Sequence, residues 1–274
     1  MVQRLRRALL VRPTTAGDFA AAGWREPDRT ALLREHDTFA ALLDSLGVAV
    51  EVEPAPAGMV DACFAYDSAY VAGPGYVRLQ MSKPARQDEP DFMGARLDAA
   101  GVPCLGALTG AAHADGGDMF FLDRWTLVVG RGYRTNAAAH AQLAELLAPV
   151  DITVERADLP HHLGPDHVMH LMSVISPVDD DLAVVFEPLA PVPLLELLDA
   201  RGIRRVPCEP DEWETQGCNV LAVRPGLVVV ADGNPVTRRR LEAAGVEVHA
   251  YPATELNKGD GGPTCLTRPL LRSA

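Results

Sequence analysis

One pattern recurs five times along the chain and limits its possible folds more than any other feature. Each copy reads as a short apolar strand, an amphipathic helix rich in alanine and leucine, a glycine and a second strand. The predicted helices are Arg29–Leu46, Glu89–Ala100, Asn136–Leu147, Val192–Ala200 and Pro235–Ala244. A repeat of roughly fifty residues is typical of radial or solenoid folds, in which each unit packs on the next. The sequence therefore predicts one α/β domain of repeats over residues 1–274.

A doubly wound α/β sheet also alternates strands and helices, and it is the simpler alternative. A dinucleotide-binding version of that fold lacks support, because no G-x-G-x-x-G motif follows a predicted strand. The segment Gly130–Arg134, which reads G-R-G-Y-R, comes nearest and does not fit.

The charge balance limits the expected partners and location. The chain has 25 Lys and Arg against 37 Asp and Glu, a formal net charge of −12, which opposes binding to nucleic acid or an anionic membrane through a broad basic face. No apolar run reaches the roughly eighteen residues of a membrane span. The basic N-terminus is followed by too few apolar residues for a signal peptide. We expect a cytoplasmic monomer or homodimer with a small-molecule substrate.

Five cysteines are scattered along the chain without C-x-x-C spacing, which argues against a disulfide framework or a zinc ribbon. Cys265 differs from the others because it follows a glycine pair in D-G-G-P-T-C-L-T-R-P, residues 260–269. Glycines permit a sharp turn and close approach of a ligand to the backbone. A thiol on such a turn is a candidate nucleophile if a histidine and a carboxylate join it, and His170 and Asp115 are the candidates.

Five short motifs, taken in order, resemble those of the guanidine-modifying superfamily, the penteins. They are F-A-Y-D (64–67), D-G-G-D (115–118), R-T-N (134–136), H-L-M-S (170–173) and G-G-P-T-C-L-T (261–267). This superfamily includes dimethylarginine dimethylaminohydrolases, arginine deiminases and glycine amidinotransferases. The resemblance implies a five-bladed α/β propeller of ββαβ units around a central substrate channel, with no cofactor.

The resemblance also implies a role for each residue in a catalytic group. Cys265 would attack the central carbon of a guanidinium, a poor electrophile for which a thiolate is well suited. His170 would act first as a general acid and then as a general base, and Asp115 would hold its ring in place. A turn-forming role alone is the alternative for Asp115, since D-G-G-D is turn chemistry in any protein.

A second group would hold the substrate. Asp67 would pair with the guanidinium nitrogens, and Arg86 and Arg134 would clamp the α-carboxylate. Asp61 and Asp260 lie beside motif residues and are expected to contact substrate, although loop solvation explains them equally well. Arg134 has the alternative of a helix cap or a surface ion pair.

Four histidines raise the question of a metal site. They fall within a short stretch, at His161, His162, His167 and His170. A zinc site needs three or four converging ligands, and the prolines and glycine of this stretch break any helix that would align two of them. We expect no metal, and a loop that leads into a strand carrying His170.

The residue two positions after His170 distinguishes branches of the superfamily. Deiminases and amidinotransferases typically carry aspartate there, and dimethylargininases do not. This chain has Met172 at that position and so resembles the dimethylargininases. We therefore expect hydrolysis of a methylated arginine to citrulline and an alkylamine through a covalent thiouronium on Cys265. Tyr66 departs from the usual glutamate of the dimethylargininase motif F-x-E-D. An arginine deiminase, dihydrolase or amidinotransferase acting on another guanidino acid stays open, as does a guanidino-compound binding protein without catalysis.

The segment Thr14–Pro27, with its glycines and Trp24, is expected to form a mobile lid over the channel.

Overall fold

Fifteen short strands form five separate sheets of three strands each in the part of the chain that the computed structural model describes, residues 1–165, 167 and 169–273. The strands are β1 (Arg4–Arg12), β2 (Ala49–Pro54), β3 (Ala69–Ala72), β4 (Gly75–Arg78), β5 (Cys104–Ala107), β6 (Met119–Phe121), β7 (Thr126–Arg131), β8 (Thr153–Asp158), β9 (Ile175–Asp179), β10 (Leu182–Val185), β11 (Arg204–Pro207), β12 (Leu221–Arg224), β13 (Leu227–Ala231), β14 (Glu247–Tyr251) and β15 (Thr267–Ser273). The helices are α1 (Arg29–Ser45), α2 (Glu89–Ala99), α3 (Ala137–Leu147), α4 (Val192–Ala200) and α5 (Pro235–Ala243).

The five sheets share one topology. A middle strand pairs antiparallel with an inner strand and parallel with an outer strand, and a helix connects the middle strand to the outer one. The inner strands are β15, β3, β6, β9 and β12. In the first sheet the inner strand comes from the other end of the chain, since β15 pairs with β1 and sets Arg268 opposite Leu9. This pairing joins the two ends of the chain, and the predicted five-bladed propeller of ββαβ units is confirmed.

The helices begin and end where local chemistry dictates. The Asp28 carboxylate accepts hydrogen bonds from the backbone N–H groups at the start of α1, and the Asn136 side chain does the same for α3. Glycines in the left-handed region follow α1, α2, α4 and α5, at positions 47, 101, 202 and 245. The third unit differs from the predicted pattern, because Asp151 takes the left-handed position there, at φ 59°.

The apolar interior lies between neighbouring blades. One cluster, for example, joins Leu10 of β1 and Phe39 of α1 to Val229 and Tyr251 of the fifth sheet. Packing of one blade on the next is what a repeat unit too small to bury its own apolar face requires. Within the described residues, no helix combines the length and the apolar character that crossing a bilayer requires.

Candidate active site

The turns that precede the five inner strands carry the polar residues of the site. Asp67, Asp115, His170, Asn219 and Cys265 each lie a few residues before β3, β6, β9, β12 and β15 respectively. Because equivalent strands of a propeller run in the same direction, their starting ends lie at the same end of the ring. Residues up to about two hundred positions apart are brought together in this way.

A small cavity at this end has a volume of about 50 Å³. Its lining residues are Asp61, Phe64, Asp67, Lys83, Arg86, Arg134, His170, Gly259, Asp260, Gly261 and Cys265. All of the residues predicted for the site line it except Asp115, which lies behind His170. Ligand pockets usually measure about 300–1,000 Å³, so the cavity must widen to admit a substrate of the size of arginine.

His170 and Asp115 form a buried pair. The His170 Nε2 atom lies 3.1 Å from Oδ2 of Asp115, whose side chain is fully buried. Burial alone would lower the pKa of His170, but the hydrogen bond to Asp115 and the negative charges of Asp118 and Asp67 outweigh it and raise that pKa. Burial would raise the pKa of Asp115, yet the same hydrogen bond and the charge of His170 hold it below its ordinary value. The pair therefore favours a protonated imidazole beside a carboxylate.

Asp118 binds the backbone next to His170. Its two carboxylate oxygens accept hydrogen bonds from the Leu171 backbone N–H at 2.9 Å and from the Thr135 hydroxyl at 2.6 Å. Burial raises the pKa of Asp118 to about 6. Both aspartates of D-G-G-D thus have partners far along the chain, which a turn-forming role alone would not require.

Gly117 packs so closely against the site that a side chain does not fit. Its backbone N–H donates to Asp67 Oδ1 at 3.0 Å, and a Cβ added there would lie 2.5 Å from His170 Nδ1. We expect Gly117→Ala to displace His170 and reduce turnover about a hundredfold, since a shift of about 1 Å is enough for such a loss. Steady-state kinetics test this, with Gly132→Ala as the control because the nearest atom there is the flexible end of Leu159 at 3.3 Å. Equal activity of the two variants would contradict this reading.

Cys265 lies on the turn before β15 and is partly exposed. The Asn219 Nδ2 atom donates to its sulfur at 3.1 Å, and the Asn219 Oδ1 atom accepts from the Thr264 backbone N–H at 3.0 Å. The Cys265 carbonyl accepts from the backbone N–H of Tyr66 at 3.0 Å, which ties the thiol turn to the turn that carries Asp67. Sequence reasoning missed Asn219, which holds the thiol in one orientation.

The thiol of Cys265 is neutral in the empty site. Burial and the negative charge of Asp67 raise its pKa to about 11, and the hydrogen bonds from the Gly262 backbone and Asn219 offset only part of that rise. A low reactivity at neutral pH follows, because the thiolate is the nucleophile.

We expect the rate of Cys265 alkylation by iodoacetamide to rise about tenfold per pH unit from neutral pH towards 11, following the thiolate fraction. Asn219→Ala should lower the rate at every pH in that range, because the variant loses a donor to the thiolate. Peptide-resolved mass spectrometry measures both rates, with the exposed Cys104 as an internal reference. A rate that is already constant with pH around neutrality would contradict the raised pKa.

Arg86 lies at the floor of the cavity, with its donors engaged. It bonds both oxygens of Glu89 at 2.8–3.0 Å and Asp67 Oδ2 at 2.7 Å, with two backbone carbonyls at 3.4 Å. Burial raises the pKa of Glu89 to about 7 despite this pairing. A substrate carboxylate would have to displace one of these partners, so the predicted clamp by Arg86 stays a prediction. Arg134 is better placed than Arg86 to bind a substrate carboxylate, since its shortest contact with a carboxylate in the described structure is 3.7 Å, to Asp115.

The segment predicted to form a lid contacts residues that line the cavity. The Trp24 ring stacks on Phe64 with centroids 5.3 Å apart, and its Nε1 donates to Asp61 Oδ1 at 2.6 Å. Arg25 bonds Asp260 Oδ1 at 3.1 Å. The segment is therefore held against lining residues of the cavity, while its mobility stays a prediction.

Met172 and Tyr66, the residues used to choose a branch of the superfamily, do not line the cavity. Met172 is buried in an apolar cluster with Phe120 and Val174. The Tyr66 hydroxyl donates to the Met119 carbonyl at 3.1 Å. The assumption that Met172 occupies the place of a carboxylate facing the guanidinium is therefore not supported by its packing.

The histidine-rich stretch has local partners. The His161 Nδ1 atom lies 2.6 Å from the Tyr133 hydroxyl, and the His162 ring packs edge-on against Trp213. In the part of the chain that the structure describes, no three His, Cys, Asp or Glu side chains are grouped as a metal would require.

Comparison with known proteins decides the family. The family model for arginine deiminase matches residues 49–195 and 196–272. The chain belongs to the arginine deiminase family. Among curated members, the arginine deiminase of Listeria welshimeri is 29% identical over 252 residues, which cover 76% of this chain and 61% of that protein. The chain thus spans about three fifths of the length of this relative.

Solved structures with the same fold come from more than one branch. The N-terminal domain of ArgZ, a cyanobacterial arginine dihydrolase, superposes with a TM-score of 0.82 at 19% identity, covering 97% of each chain. The dimethylarginine dimethylaminohydrolase of Pseudomonas aeruginosa superposes with a TM-score of 0.82 at 17% identity, covering 98% of this chain and 100% of that one. The predicted superfamily is confirmed. Dimethylargininase identity is not confirmed, because the curated relatives are named arginine deiminase.

Proposed function

We propose that this member of the arginine deiminase family hydrolyses the guanidinium group of a guanidino acid to a urea, through a covalent intermediate on Cys265. The observation that carries the proposal is the single cavity onto which Cys265, His170 and Asp67 open, with Asp115 bonded to His170. A nucleophile, a proton carrier with its orienting carboxylate, and an anchor for a cation are the groups that this reaction needs.

The electrostatics of the cavity suit a cationic substrate. A guanidinium bound at Asp67 would neutralise the charge that, together with burial, keeps the thiol protonated. The bound cation would then favour the thiolate, so that the nucleophile forms mainly when substrate is present. Such coupling protects the thiol from other reagents while the site is empty.

The reaction balances with water as the only co-reactant. The thiolate adds to the guanidinium carbon, and one nitrogen leaves as an amine after taking a proton from the His170 imidazolium. The remaining thiouronium is attacked by water, whose proton passes to the now neutral His170. Loss of the thiolate gives the urea and restores the site. Asp115 orients the imidazole and stabilises its charged form throughout.

The leaving nitrogen distinguishes two candidate substrates. An unsubstituted guanidinium would release ammonia, which fits the curated relatives named arginine deiminase. An N-methylated guanidinium would release methylamine or dimethylamine, the outcome favoured by an apolar residue, Met172, two positions after His170. We favour the first, because Met172 packs in an apolar cluster rather than on the cavity.

A turnover panel tests the proposal. Guanidino acids with and without an α-amino group, and with and without N-methylation, are incubated with the protein, and the urea product and the released amine are identified by mass spectrometry. We expect a urea product and ammonia from at least one unmethylated guanidino acid. Methylamine as the better product would favour the dimethylargininase candidate. No product from any compound would support a guanidino-compound binding protein instead.

A further inference from the structure

Lys83 places an ammonium group inside the cavity. Its Nζ atom donates to Asp61 Oδ2 at 2.5 Å and to the Ala22 carbonyl of the lid segment at 2.5 Å. The Lys83 side chain is 25% exposed and that of Asp61 only 6%. Both residues line the cavity that also contains Cys265.

A carboxylate and a backbone carbonyl are the acceptors that a substrate's α-ammonium would seek, since an ammonium has three donors and no acceptor. The other carboxylates on the cavity also have cationic partners within the described structure. Asp67 bonds Arg86 at 2.7 Å, and Asp260 bonds Arg25 at 3.1 Å. An α-ammonium would therefore meet carboxylates that each have a cationic partner already, and Asp67 is in addition the proposed site of the guanidinium.

The charges of the site also disfavour a substrate with an α-ammonium. Lys83, Arg86 and Arg134 balance Asp61, Asp67 and Asp260, and the charge of a protonated His170 is balanced by Asp115, to which it is bonded, so the site is neutral before substrate enters. A guanidino acid with a carboxylate tail adds no net charge, whereas arginine adds one positive charge through its α-ammonium. Two ammonium groups competing for Asp61 at close range repel each other in a site shielded from water.

From these contacts we propose that Lys83 takes the place of a substrate α-ammonium, and that the substrate is an ω-guanidino carboxylic acid without an α-amino group. The inference rests on the proposed function and names its substrate class. Lys83 is then the residue that sets specificity: it neutralises Asp61 and leaves Arg134 to meet the carboxylate. A lysine that only braces the lid through the Ala22 carbonyl would not affect the choice between the two kinds of substrate.

The test compares two compounds that differ in the α-amino group alone, L-arginine and δ-guanidinovalerate. For the wild-type protein we expect kcat/KM for δ-guanidinovalerate to exceed that for L-arginine by roughly tenfold to a hundredfold. Lys83→Met should reverse or abolish this preference, because Asp61 is then free for the α-ammonium. Lys258→Met is the matched control: this lysine also bonds a carboxylate, that of Glu255, and a backbone carbonyl of the lid segment, that of Glu26, but it does not line the cavity.

The ratio of the two kcat/KM values is the readout, since a general loss of stability or of lid anchoring lowers both values alike. A wild type that prefers L-arginine, or a ratio that Lys83→Met leaves unchanged, would overturn the inference while the guanidine chemistry stands. If neither compound is bound or turned over and the sulfur of Cys265 fails to react with chloroacetamidine, the proposed function falls together with the inference.

Discussion

Cys265→Ser is expected to reduce turnover by about 10⁴- to 10⁶-fold, the range seen when the nucleophile of a catalytic group is removed. A serine hydroxyl would occupy the same turn and accept a similar hydrogen bond from Asn219, which donates to the sulfur at 3.1 Å. The thermal unfolding temperature and the affinity for substrate should therefore change little. Steady-state kinetics, calorimetric binding and thermal unfolding of the variant measure the three quantities.

The double variant separates a catalytic group from independent contributions. If Cys265 and His170 act in one covalent mechanism, adding His170→Ala to Cys265→Ser should cost little further activity, because the step that His170 serves has already been lost. A Cys265→Ser protein with near-normal turnover would remove Cys265 from the mechanism. A further large loss in the double variant would instead show that His170 acts by another route.

Arg86→Met is expected to lower the free energy of unfolding by about 3–5 kcal/mol, the usual cost of breaking a buried ion pair from one side. Its guanidinium is only 5% exposed and lies against Asp67 and Glu89. The methionine fills a similar volume but leaves these carboxylates without their cation. Equilibrium denaturation at neutral pH measures the loss.

Two further variants show that charge, rather than packing, is responsible. Arg12→Met is the control, because Arg12 forms an exposed pair with Asp37, a class of interaction that contributes about 0–1 kcal/mol. Adding Glu89→Gln to Arg86→Met should restore part of the lost stability, since a buried acid that has lost its cationic partner is replaced by a neutral amide. A loss in Arg86→Met no larger than in Arg12→Met would contradict the account of the buried network.

The bounds of the helices follow closely from the sequence. Every helix lies within one residue of its predicted bounds, because amphipathic periodicity and capping residues such as Asp28 and Asn136 act locally. The inner strands were not predicted one by one. Three of them, β6 with three residues and β3 and β12 with four, are too short for a reliable alternation of apolar and polar residues. The seven-residue β15 pairs with β1 from the other end of the chain, which no local pattern indicates. Their existence depends on pairing with the middle strands.

The site shows the same division between local and distant signals. Cys265, His170 and Asp115 stand in recognisable motifs, whereas Asn219 does not, since its partner Cys265 lies 46 residues away. Its position before β12 repeats that of Asp67 before β3 and of Cys265 before β15, a signal that the repeat itself contains. The hydrogen bonds of Lys83 to Asp61 and Ala22 arise only from tertiary packing, and no sequence motif predicted them.

Labelling with chloroacetamidine tests the central claim most directly, because this reagent carries an amidinium like that of a guanidine and a carbon that a thiolate attacks. We predict one adduct for each chain, located on Cys265 by peptide mapping, formed faster than with the neutral iodoacetamide at the same pH and suppressed by a saturating guanidino acid. Labelling that is no faster at Cys265 than at the exposed Cys104, or that a bound guanidino acid leaves unchanged, would contradict the assignment of Cys265 as the nucleophile of a guanidine-binding site.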